Sequence, residues 1–134
     1  MQDFVITVND AAFSVEDFTR LFELWSNSRL NCDRAAEVLQ RSIIVTARER
    51  GDVIGYVRII TDGYIFGVIA EVSATPKYIS DYSLIKALLR AAADVCPTPL
   101  VIESYRLNGD LMKEIGWEQG VMSYYYDGKG RLAE

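Results

Sequence analysis

The sequence predicts an α+β fold, a mostly antiparallel central sheet with helices on both faces, in a single domain spanning 1–134. Three observations predict it. β-Branched runs between 43 and 74 follow one another across short glycine-containing turns, which is the pattern of an antiparallel meander. A helical apolar pattern over 84–95 stands between the last of these runs and a further strand, which is the spacing of a crossover. A chain of 134 residues, 50% apolar and 25% charged, is large enough for a core that needs neither disulfides nor metals.

In order, FVITV at 4–8 reads as a first strand. Ser14 with Asp17 three residues on starts a helix, with Phe13 and Phe18 placed as a hydrophobic staple. Phe18, Leu21, Phe22 and Trp25 continue at helical spacing, a stripe that is core if covered and a partner surface if exposed. A shorter helix over 31–42, capped by Asn31 or Asp33, sets Ala35, Val38 and Leu39 on one side. The runs 43–49 and 53–60 form a hairpin around Arg50-Gly51-Asp52, where RGD is ordinary turn chemistry. A turn at 61–63 leads into a long strand over 64–74, which Pro76 stops because proline cannot donate to a ladder. Beyond the helix at 84–95 come a buried strand at 99–105, a short helix capped by Asn108 and stopped by Gly116, and a last strand at 121–126.

A net charge of −5 and a pI near 4.8 argue against a nonspecific grip on nucleic acid or anionic lipid. The N-terminus lacks the basic start and apolar run of a signal peptide, and no stretch approaches a membrane span, so a cytoplasmic protein is expected. With no histidine, and with Cys32 and Cys96 far apart, zinc sites and cysteine–histidine chemistry are not expected, and no metal residue is assigned.

Within this element order, DVIGYVRIITDG at 52–63 and FGVIAEVSATPKY at 66–78 resemble the GNAT superfamily of acetyltransferases, and the similarity covers most of the chain. A hairpin strand with a Gly-aromatic pair (Gly55, Tyr56) and an arginine (Arg58) runs through a Thr-Asp-Gly turn into a strand reading Glu71-Val72-Ser73-Ala74-Thr75-Pro76. IGW at 115–117 is similar to the family's ending of its C-terminal helix. The resemblance implies that acetyl-CoA lies between the strand ending near Ala74 and the strand at 99–105. Main-chain groups of Val72, Ser73 and Ala74 would pair with the pantetheine arm as with an added strand, and a free amide near the bulged end would stabilise an oxyanion. The acceptor would be a small amine or a protein amino group.

Two features of the family pattern read differently here. Its phosphate-binding loop has Arg or Gln, two residues, Gly, one residue, then Gly or Ala, at a helix N-terminus. Those positions fall on Ile79, Tyr82 and Leu84 in one register and on Ser80, Ser83 and Ile85 in the other, so the loop is degenerate. Ser80 and Ser83 offer hydroxyls to a phosphate, with Lys77 or Lys86 nearby, or else simply begin a helix. The family's general-acid tyrosine position is Met112, which leaves Tyr105 as the substitute. Glu71 is the candidate base, or else the partner of Arg58. Asn108 orients the cofactor or caps its helix. Two function classes stand side by side: an acetyl-CoA-dependent N-acyltransferase, and a catalytically inactive binding or assembly module (a virion, effector or complex subunit) with a protein partner. A third is an enzyme of this type whose acyl donor has no pyrophosphate.

Overall fold

The computed structural model describes residues 4–78, 82–102 and 109–120. The elements are β1 Val5–Val8, α1 Val15–Ser26, α2 Cys32–Arg41, β2 Ile43–Glu49, β3 Asp52–Thr61, β4 Gly67–Ala74, a 3-10 turn Pro76–Tyr78, α3 Tyr82–Val95, β5 Leu100–Ile102 and α4 Gly109–Glu114. The sheet runs β1-β2-β3-β4-β5. Its first three pairings are antiparallel, and β4–β5, joined through α3, is parallel. The single α+β domain expected from the sequence is the one observed.

Local chemistry accounts for the element ends. The Ser14 hydroxyl accepts the Asp17 amide at 3.0 Å and opens α1. At α2 the cap is Asn31, whose side-chain oxygen accepts the amides of Asp33 and Arg34; each such cap satisfies amides a helix leaves unpaired. Arg50 and Gly51 both have positive φ, 52° and 86°, the geometry of the two-residue turn that matches strand twist.

Strand alternation divides the apolar residues into two cores. Val57, Ile59 and Val72 face α3, against Leu84, Leu88 and Leu89. Tyr56 and Ile44 face α1, against Phe13, Phe18, Leu21 and Phe22. The α1 stripe is thus core: Phe18 meets Tyr56 edge-on, with ring centroids 5.5 Å apart.

The third meander strand is shorter than expected. Tyr64, Ile65 and Phe66 form a turn, and β4 starts at Gly67. The Asp62 carboxylate accepts the amides of Tyr64 and Ile65, both at 2.9 Å, and so draws them away from the ladder. The strand expected at 99–105 is described only over Leu100–Ile102, and the one at 121–126 lies outside the described residues. No helix among the described residues is long and apolar enough to cross a membrane.

Candidate functional site

The site is organised by one extra residue in β4. Arg58 pairs with Glu71 and Ile59 with Ile69, so Ala70 is a bulge. Without it, Glu71 would share the α3 face with Ile69. With it, Glu71 turns to the α1 face, while Val72 and Ala74 return to the α3 core. Pairing of β4 with β5 is described over Gly67–Ile69, up to Ile102 in β5. Beyond the bulge, Glu71 to Ala74 remain paired to β3, and no strand among the described residues pairs with their other edge.

Glu71 is buried and fully engaged. The Arg58 guanidinium donates to both carboxylate oxygens, Nε to Oε1 at 2.8 Å and Nη2 to Oε2 at 2.6 Å. The Tyr56 hydroxyl adds a third bond to Oε1 at 2.8 Å. Arg58 also reaches the Ser42 hydroxyl, at 3.1 Å, just past α2. Burial, with the Glu71 carboxylate beside it, pushes the Tyr56 hydroxyl well above the ordinary tyrosine range, so it remains a donor. Three charge-assisted or hydroxyl bonds thus hold the carboxylate in one orientation.

Ser73, the next residue on the α1 face, donates its hydroxyl to the Leu21 carbonyl at 2.7 Å and ties β4 to the middle of α1. On the opposite face, Gly55 has no room for a side chain. A Cβ there would lie 2.8 Å from the Ser73 carbonyl oxygen and 3.3 Å from Leu88 Cδ1, so glycine lets α3 settle onto the β3–β4 pair. The Thr75 amide donates to the Ile54 carbonyl at 2.8 Å, and the Tyr78 hydroxyl donates to the Glu49 carboxylate, so the chain leaving β4 is pinned to the β2–β3 hairpin.

The sequence-derived residues are distributed as follows. Glu71, Val72, Ser73 and Ala74 lie together at the bulged end of β4. Ser83 sits exposed in the first turn of α3. Ser80, Tyr105 and Asn108 lie outside the described residues. Sequence reasoning missed two members of the cluster, Tyr56 and Ser42. The signal for Tyr56 was present: it shares a strand face with Arg58, two residues on, but its pairing with Glu71 depends on the bulge.

Neither a protein-family model nor a curated protein matches this sequence. The structure does match solved ones. A putative acetyltransferase from Deinococcus radiodurans R1 superposes with a TM-score of 0.73 at 17% identity, covering 92% of this chain and 88% of that one. A putative GNAT-family acetyltransferase from Xanthomonas campestris pv. campestris gives 0.72 at 16% identity, with 96% and 97% covered. The chain has the GNAT fold. AAC(6')-Iy, solved in complex with the bisubstrate analog CoA-S-monomethyl-acetylneamine, matches with a TM-score of 0.67 at 14% identity, covering 96% of this chain and 99% of that one. In this GNAT fold, the glycine-aromatic pair and the arginine of β3 converge on β4: Gly55 admits α3, and Tyr56 and Arg58 hold Glu71.

Proposed function

We propose that this protein is an N-acyltransferase that moves an acetyl group from acetyl-CoA to an amine, either a small molecule or a protein amino group. The observation that carries the reading is the bulge at Ala70 in β4, beyond which Glu71–Ala74 pair with β3 and, among the described residues, with no strand on the other edge. An extended amide chain fits such an edge as an added strand. The pantetheine arm of acetyl-CoA is a chain of this kind, and the main chain of Val72, Ser73 and Ala74 would hold it. Bound there, acetyl-CoA supplies an activated thioester. Solved neighbours of the same fold described as acetyltransferases, one of them complexed with a CoA-containing bisubstrate analog, support the reading.

Within this proposal Glu71 is a positioning residue. Its ion pair with Arg58 fixes the bulged end of β4 and places a buried anion beside the incoming amine. Tyr105, three residues past β5 in sequence, is assigned as the proton donor to the departing thiolate. Ser80 and Ser83 are assigned to the phosphate end, and Asn108 to orienting the cofactor.

Titrating acetyl-CoA against the protein while following thermal unfolding tests the reading. A ligand of the native state adds about 2.7 kcal/mol at a hundredfold excess over its dissociation constant, so a clear rise in Tm is expected. Unchanged melting at millimolar acetyl-CoA would sink the proposal. Given a shift, Glu71→Gln should lower turnover without removing the acidic limb of the pH–rate profile, and Tyr105→Phe should lower kcat with binding retained. Loss of the acidic limb in Glu71→Gln would make Glu71 the base instead.

A further inference from the structure

The face of the sheet that carries Tyr56 and Arg58 is only partly covered. Ile60, Val68 and Val101 are direct register partners across β3, β4 and β5, so their side chains stand in one row on one face. The flanking residues Ile59, Ile69, Leu100 and Ile102 pack on the α3 core, so the row faces away from α3. Ile60 is 49% exposed and Val101 47%. At the same end of the sheet, the β3–β4 turn presents Tyr64 at 90% exposure, Ile65 at 74% and Phe66 at 47%.

This tip is not a loose loop. Besides the two Asp62 bonds, the Thr61 hydroxyl donates to the Phe66 carbonyl at 2.7 Å and accepts the Gly63 amide at 2.9 Å. Three large apolar side chains are therefore held outward by a hydrogen-bonded turn. A groove of about 700 Å³ runs beside Ile60, walled on its α2 side by Leu30 and Val38 together with the charged Asp33, Arg34, Glu37 and Arg41. A fixed apolar tip and a partly apolar groove thus adjoin on one molecule.

We propose that this surface is a two-fold interface with a second copy of the same chain, each tip seated against the partner's open strand row and groove. Two properties favour this occupant. Aromatic side chains bury about 150–250 Å² each, so Tyr64 and Phe66, at their exposures, account for roughly 550 Å² over two copies, and the three aliphatic residues bring the contact to about 1,000 Å², the floor for a specific interface. An isologous contact needs both a knob and a receptor on the same patch, and this end of the sheet has both. A lipid surface fits poorly: the turn and the strand row carry no lysine or arginine, Arg34 and Arg41 on the groove wall stand among Asp33 and Glu37, and the chain carries a net charge of −5.

Sedimentation velocity across a concentration series tests the interface, with Ile65→Glu on the turn and Val101→Lys on the strand row as separate variants. The wild-type chain is expected at twice the monomer mass. Each variant is expected at the monomer mass with unchanged far-UV circular dichroism; because Ile65 lies in an exposed turn, its variant keeps the test valid should Val101→Lys fail to fold. A wild-type chain that stays monomeric up to hundreds of micromolar would overturn the proposal. So would a dimer that survives Ile65→Glu, or a monomer that co-floats with phosphatidylcholine vesicles.

Discussion

Glu71, Arg58 and Tyr56 form a buried polar cluster in which each member depends on the others. Removing the guanidinium would strand a carboxylate out of water, which typically costs 3–5 kcal/mol. Arg58→Met is therefore expected to lower unfolding free energy by about that amount in urea titration. Adding Glu71→Gln to it should recover most of the loss, because a neutral amide still accepts from Tyr56. A double variant no more stable than Arg58→Met would show that the burial argument is wrong. Asp10 gives a second consequence at this scale. Its hydrogen bond from Arg48 at 2.7 Å, opposed by burial and helped by the Ala12 amide, holds its carboxyl below the usual carboxylate range. A carboxylate whose pKa is lower folded than unfolded adds stability that is present above its unfolded value, about 3.9, and is lost as pH falls through the folded one. The denaturation midpoint should thus fall on acidification below about pH 4, and Asp10→Asn should be less acid-sensitive than wild type while starting from lower stability at neutral pH.

Among the elements, the contact of α3 with the β3–β4 pair has the narrowest tolerance. Gly55→Ala would place a methyl 2.8 Å from a backbone carbonyl, and backbone yields less readily than side chains. Overpacking of this kind costs about 1–3 kcal/mol. A matching fall in stability is expected for Gly55→Ala. Stability equal to wild type would mean that the glycine is not required for packing. Element identity was largely legible beforehand, because caps and periodicity are local: Ser14, Asn31 and the apolar spacing of α3 mark the ends and faces that the structure shows. Tyr64–Phe66 reads as strand in the sequence because its residues favour strands. Asp62 overrides that preference by capturing their amides.

Over the whole molecule, one sheet separates two cores, and the bulge at Ala70 decides which of them β4 addresses at each position. The fold class, the antiparallel meander and the helical crossover after it followed from the sequence alone, since hydrophobic period and turn chemistry are written in neighbouring residues. The bulge, the three-way hold on Glu71 and the open row of Ile60, Val68 and Val101 did not follow. Each depends on which residues of separate strands come to lie opposite one another. That register is set by packing between α1, α3 and the sheet, and a shift of a single residue would turn the same side chains to the other face.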